Sequence, residues 1–284
     1  MSKRILFMGA NGFPAKVYTP VIDKLGKMVA AGGGDGKLHA KMFDYHPHLK
    51  LGVTKDWWGM VNSTIDEARA LREKSGEDLV GVGHSAGGAL IACAATKSPD
   101  LFKKVVLVDS PMFNPLKRTL FSFGYMLPDA IIDNVHPMIK TAGKKKHEWE
   151  DMKEAEEYVR SRKLFKSFSP EIVDAWLAEG LRKGEKCGKM KLVFKHTSEQ
   201  CMYKTTPMDV PVIGVKNGGW LGQYDAVDQA GVFLYSNTYK FLDKRDVAFL
   251  KSKFKGLDFH DFDDEHFWPM RDPEAFAKTL NKHI

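Results

Sequence analysis

Cysteine is scarce in this chain of 284 residues, which has only Cys93, Cys187 and Cys201. Three cysteines cannot close a disulfide framework, and these spacings are not those of a zinc site, so the expected compartment is reducing and cytoplasmic. No apolar run approaches the ~18 residues that a spanning helix needs, and no transmembrane segment is expected. The start, Met1 to Gly9, has two basic residues and then a short apolar stretch, too short for the core of a secretory signal. Internal repeats and low-complexity segments are missing as well. Charge of one sign is in mild excess, 43 Lys and Arg against 36 Asp and Glu for a net +7. The excess is diffuse. Its densest run, Lys144 to Lys146, is followed by Glu148, Glu150, Asp151 and Glu154, a mixture that predicts a solvated helix face. No nucleic-acid recognition motif accompanies it, so no nucleic-acid partner is expected.

What is present is a globular composition, 43% hydrophobic, long enough for one large domain or two small ones. Short continuous apolar runs at Ile5–Met8, Leu79–Val82, Val105–Val108 and Val210–Val215 predict strands buried on both faces, as in a parallel sheet. Leu38–Phe43 and Leu257–Phe262 are weaker strand candidates. Between them lie helical patterns. One is capped at Asn62 or Ser63, with Ile65, Ala68 and Leu71 on one face. Two others open on Ser169-Pro170-Glu171 and Asp272-Pro273-Glu274, each a cap, a first-turn proline and an acid. Asp243 and Asp246 read as acids at a helix start. The alternation predicts an α/β fold with a doubly wound, mostly parallel sheet and helices on both faces. It breaks between about Pro111 and Pro207, where a helical cap of residues 111–206 is expected, inserted into a core of 1–110 and 207–284.

The most informative segment joins an apolar strand, through Gly83-His84-Ser85-Ala86-Gly87, to a helix of small residues. This is G-x-S-x-G in its strand–turn–helix setting. A serine on so sharp a turn has strained dihedrals, and its neighbours two positions away must be nearly free of side chain. Ser85 is therefore the candidate nucleophile. The helix behind it aims amide ends at the place where an oxyanion would develop, and Ala86 would give one N–H. A rival reading exists. Gly81-x-Gly83-x-x-Ala86 also satisfies a dinucleotide fingerprint, with Asp109 ending the next strand like a ribose-binding acid. That fingerprint normally opens its domain, and it leaves Ser85, Gly87 and Gly88 unexplained.

At the elbow the sequence resembles the α/β-hydrolase superfamily, and the resemblance extends over most of the chain. Gly9-Ala10-Asn11-Gly12-Phe13-Pro14, with Tyr18 and Pro20, is similar to the Ala-Asn-Gly-Phe-Pro loop of one subgroup. That likeness implies that Asn11, or the adjacent Gly12, gives a second oxyanion donor. His266, after a strand and before a capped terminal helix, matches the family's catalytic histidine and would serve as general base. His84 is expected to line the elbow rather than act as base. His46 and His48 fit a strand-end loop over the site, without a third metal ligand, and His260 fits a strand. The family's usual acid position, after Val210–Val215, holds no carboxylate. Asp109, which some members use, is the favoured acid, and Asp225 or Asp228 are the alternatives.

The resemblance implies a serine hydrolase that cleaves a carboxylic ester through an acyl-enzyme, without metal or organic cofactor. Phe113, Phe121, Phe123, Tyr125, Met126 and Trp176 are compatible with an apolar acyl pocket, so a small, apolar acyl substrate is the expected partner. The same fold also carries non-enzymatic receptors for small hydrophobic ligands, and the acid missing from its usual place keeps that alternative open. Oligomeric state is not legible.

Overall fold

The computed structural model describes residues 2–32, 36–48, 57–125, 127–184, 188–205, 229–238 and 241–284. The first half alternates strand and helix: β1 (Lys3–Met8), α1 (Thr19–Ala31), β2 (Leu38–Met42), α2 (Trp58–Ser75), β3 (Leu79–His84), α3 (Ala86–Lys97) and β4 (Lys104–Val108). An insertion follows with α4 (Pro115–Tyr125), α5 (Asp129–Val135), α6 (Pro137–Gly143), β5 (Glu148–Trp149), α7 (Met152–Ser161), α8 (Lys163–Lys166), α9 (Pro170–Glu179), β6 (Leu181–Lys183), β7 (Met190–Leu192) and α10 (His196–Thr205). The chain ends with β8 (Gly231–Ser236), α11 (Lys244–Lys253), β9 (Leu257–Phe262), α12 (Trp268–Arg271) and α13 (Pro273–His283).

Six strands form one sheet in the order β2-β1-β3-β4-β8-β9, with every pairing parallel. The expected doubly wound α/β architecture is therefore the observed one. The alternation of side chains explains the continuous apolar strands. Leu6 and Met8 of β1 pack with Leu90, Ile91 and Leu107 on one face. Ile5 and Phe7 pack with Val21, Leu25, Phe276 and Leu280 on the other. The four inner strands β1, β3, β4 and β8 thus serve two cores. The order reverses at β1, whose two neighbours are β2 and β3, and ligands of such sheets bind beyond the strands' C-terminal ends at that crevice.

Three sequence expectations need correction. Asn62 and Ser63 do not cap α2, which begins at Trp58, because the apolar face extends back to Met60 and Val61. The insertion is not purely helical, since β5, β7 and β6 form a small antiparallel sheet. The run Lys144–Lys146 lies not on a helix face but in the turn after α6, where Lys144 is the C-cap. The expected strand at Val210–Val215 lies outside the described residues, as do Asp225 and Asp228. Two described strands of the sheet follow the insertion: β9, at the expected Leu257–Phe262, and β8, which is not among the expected strands. Asp272 caps α13 by accepting from the Ala275 N–H, and Asp243 with Asp246 forms a reciprocal capping box on α11. Ser169 precedes α9 without a side-chain cap bond.

The glycines around β3 and α3 set how closely these elements approach. A Cβ on Gly83 would lie 2.4 Å from the Cα of Gly88, and one on Gly87 would lie 2.4 Å from the Met8 carbonyl oxygen. These are backbone obstacles that cannot rotate away. Gly83→Ala is expected to destabilise the fold by about 3 kcal/mol or more, read by urea unfolding. A loss under about 1 kcal/mol would show that strand and helix can part without penalty.

Candidate active site

The strand-to-helix turn puts Ser85 at φ 56°, ψ −126°, a conformation open to a side-chain-bearing residue only under constraint. The constraint is visible. The Ser85 N–H donates to the Val108 carbonyl (2.8 Å), and its carbonyl accepts from the Gly88 and Ala89 amides (3.0 and 3.2 Å). Asp109, at the end of the neighbouring strand, is also in the left-handed region, at φ 42°. Its N–H is tied to the Leu234 carbonyl at 2.7 Å.

Three side chains far apart in sequence meet here. His266 Nε2 lies 3.0 Å from Ser85 Oγ, and His266 Nδ1 lies 2.5 Å from Asp109 Oδ2. Asp109 is wholly buried, and its other oxygen accepts from the Ser236 N–H at 3.3 Å. An acid with both oxygens engaged, an imidazole between it and a hydroxyl, and the chain order Ser, Asp, His form the arrangement that nucleophilic acyl transfer needs. The Asp109 of the dinucleotide reading is thus turned to His266, and no ribose acid remains at that strand end. His266 is enclosed by Phe241 and Phe267, with ring centroids at 5.1 and 5.0 Å.

The loop after β1 lies against the elbow. The Gly87 N–H donates to the Gly9 carbonyl (3.2 Å), which also accepts from Tyr45 Oη (3.1 Å). The Gly12 N–H donates to His46 Nε2 at 3.1 Å. Of the two loop amides named from sequence, Gly12 is therefore occupied, whereas the Asn11 N–H, like that of Ala86, has no acceptor among the described residues. The Asn11 side-chain amide is itself held by the Glu199 carbonyl, to which it donates at 3.1 Å.

His84 lines the elbow and His46 lies beside the loop, as expected, but the hydrogen bonds they make are not foreseen from sequence. His84 Nδ1 faces the Tyr18 hydroxyl at 2.7 Å, and its Nε2 faces the His266 carbonyl at 2.8 Å. Tyr18 Oη accepts from the Ala10 N–H at 3.1 Å. His46 belongs to no metal pair; its ring stacks on Tyr45 and Phe194. Among the described residues, no three His, Cys, Asp or Glu side chains group as metal ligands. Phe113 packs on both Phe121 and Phe241 beside the site, whereas Trp176 faces the opposite core. The side chains of Phe123 and Tyr125, and all of Met126, lie outside the described part.

Burial keeps both supporting histidines neutral. His46 is pushed down to about 3, and His84 is held well below the ordinary imidazole value, first by burial and then by its neighbour His266. In the unfolded chain both titrate near 6.5, so below that pH the unfolded state takes up protons that the folded state refuses. Their contribution is complete above pH ~6.5 and is lost as the pH falls, for His46 toward about 3. Between pH ~6 and ~4 His46 adds a slope of up to about 1.4 kcal/mol per pH unit. Urea unfolding of His46→Gln across that range is expected to be less acid-sensitive than wild type. Parallel curves would show that His46 is protonated in the folded state.

Comparisons with known proteins agree with this architecture. A family model described as alpha/beta hydrolase fold matches residues 60–170. The structure is similar to a peroxisomal α/β-hydrolase of Saccharomyces cerevisiae, with 14% identity over 99% of this chain and 76% of that one and a TM-score of 0.73. It is similar to E-2-(acetamidomethylene)succinate hydrolase, at 15% identity over 99% and 91% of the two chains with a TM-score of 0.69. A thioesterase domain from the curacin biosynthetic pathway gives 16% identity over 99% and 91%, with a TM-score of 0.67. No curated protein matches the sequence. Among the described residues, no helix is long and apolar enough to cross a membrane.

Proposed function

This chain is an α/β-hydrolase-fold protein, and on that premise we propose that it is a serine hydrolase that cleaves carboxylic esters or related acyl bonds through an acyl-enzyme on Ser85. The observation that carries the reading is the continuous contact from Ser85 Oγ through His266 to the buried Asp109. Relatives of this fold that are named as hydrolases and as a thioesterase support acyl chemistry in general.

In the proposed reaction Ser85 Oγ attacks the acyl carbonyl while His266 Nε2 takes its proton. Asp109 fixes the tautomer with Nδ1 protonated and stabilises the imidazolium. The amides of Ala86 and Asn11 receive the oxyanion, each worth roughly 10²–10³ in kcat by comparison with other acyl-transfer sites. Collapse breaks the bond to the leaving alcohol, which takes the proton from His266. Water, deprotonated by the same imidazole, then attacks the acyl-enzyme, and Ser85 regains its proton. No step needs a metal or organic cofactor.

The receptor alternative drew on the lack of an acid at the usual position. The Asp109–His266 contact supplies one and favours the enzyme. We take 1–110 and 207–284 as the core and 111–206 as the inserted cap, supported by β4 and β8 being sheet neighbours although the insertion lies between them in sequence. We place the protein in the cytoplasm on its sparse cysteines.

A fluorophosphonate probe is expected to label the wild type stoichiometrically and to leave Ser85→Ala unlabelled. With p-nitrophenyl esters, Asp109→Asn should lose roughly 10³–10⁴ in kcat, in line with other triads, while folding normally. Full turnover in that variant would move the acid elsewhere, with Asp225 and Asp228 the next to test. Failure of the probe to label folded wild type would sink the hydrolase reading.

A further inference from the structure

One feature of the molecule is unused by the chemistry of Ser85. A cavity of about 430 Å³ lies between the Gly12–Pro14 loop and the insertion. That size suits a small organic ligand. Its walls are aromatic, with Phe13, Trp149, Phe165, Trp176 and Phe194. Six basic side chains and one carboxylate, Glu199, also line it. Lys145 and Lys146 are neutralised there by Glu199 (2.7 and 2.8 Å) and by Glu154. Lys144, Arg162, Lys163 and Lys195 line the same space, and none has a carboxylate partner among the described residues. The Arg162 guanidinium lies 5.2 Å over the Tyr158 ring instead of against an acid.

Ester hydrolysis at a serine requires none of these cations, so the catalytic reading does not account for them. Like charges around one opening repel one another and draw in an anion. Aromatic walls beneath them accept an apolar body. The two features together select a molecule with both parts. A cavity of this size does not admit a nucleic-acid duplex.

We propose that this cavity binds amphiphiles with an anionic head, a carboxylate or a phosphate, on an apolar body, with the head held by Lys144, Arg162, Lys163 and Lys195. The cavity shares Gly12 and Phe13 with the loop that meets the elbow, and Phe13 packs on Phe267 next to His266. Joined to the serine-hydrolase reading, on which this step rests, the inference names the substrate class: acyl compounds with a negative charge remote from the scissile carbonyl.

Binding can be read without turnover. Full-length Ser85→Ala is titrated calorimetrically with decyl phosphate, decanoate and decanol, at low salt and at about 0.5 M salt. At least one anion is expected to bind about 10-fold or more tightly than decanol at low salt, with a preference that shrinks at high salt. A preference for decyl phosphate assigns a phosphate head, and equal binding of the two anions assigns a single negative charge as sufficient. In Arg162→Ala/Lys163→Ala the anion preference should fall to about 2-fold or less, while Lys166→Ala, on the same short helix but outside the cavity, keeps it. Equal affinity for decanol and both anions, a preference that survives the double substitution, or no binding of any of the three overturns the proposal. Fluorophosphonate labelling separates this result from the catalytic one. Unlabelled wild type with an intact anion preference sinks the hydrolase and leaves the cavity assignment standing, and labelled wild type without the preference does the reverse.

Discussion

The bend at Ser85 is the constraint from which the site follows. Its positive φ costs roughly 1–2 kcal/mol for a residue with a Cβ and persists only under pressure from its surroundings. That pressure comes from β3 and α3, which approach closely enough that Gly83 and Gly88 touch through their backbones. The parallel register sets His84 beside Val108, so the next residues, Ser85 and Asp109, leave adjacent strands side by side. Both are in the left-handed region, and both turn out of the sheet at its C-terminal edge. Two strained residues on neighbouring strand ends leave the gap between them for one imidazole, and His266 fills it.

How much of this was legible in the sequence depended on range. The strands buried on both faces announced themselves, because a parallel sheet under two helical layers demands unbroken apolar runs. The elbow did too, since its glycines, serine and small-residue helix are contiguous. β8 did not. Its run Val232–Tyr235 is four apolar residues, as many as Val105–Val108, so run length does not separate it from the strands that were legible. Asp109 could be named only as one of several acids, because its choice is made by a contact with a residue 157 positions away. The pairs His46 with Gly12 and Tyr18 with His84 carry no local signal at all, since neither partner's neighbours predict a hydrogen bond across 34 or 66 residues. Lys144–Lys146 misled for the same reason. A mixed-sign run looks like a helix face until its partner is known, and the partner of Lys145 is Glu199, on α10.

The insertion is woven into the site and the core alike. Ile172 and Trp176 of α9 lie in the same apolar cluster as Val21 and Leu25 of α1. At its other end, α10 brings the Glu199 side chain over Gly12, where an added Cβ would lie 2.9 Å from the carboxylate carbon. Gly12, at φ 81°, is thus fixed twice, by a conformation that favours glycine and by the group above it. The Glu199 carbonyl also takes the Asn11 amide. A displacement of α10 would therefore be felt at the loop amides that face the elbow, and a ligand against Lys145 and Phe194 lies close to the point where that displacement would begin.

The polar chain through His84 explains how the two loops that meet Ser85 keep their distance from each other. The Ala10 N–H donates to Tyr18 Oη, whose own proton goes to His84 Nδ1, which leaves Nε2–H to donate to the His266 carbonyl. Each member has one orientation that satisfies its neighbours, so the tautomer is determined by the His266 carbonyl, which can only accept. Tyr18 and His84 are wholly buried, and burial pushes the Tyr18 hydroxyl far above the usual phenol range. Neutrality of His84 matters beyond stability. Its ring centre is 5.0 Å from that of His266, and a second positive charge there would oppose the imidazolium that acyl transfer requires. By lowering the proton affinity of His84, burial keeps that ring from adding a positive charge beside His266, whose imidazolium in the proposed reaction would face Asp109.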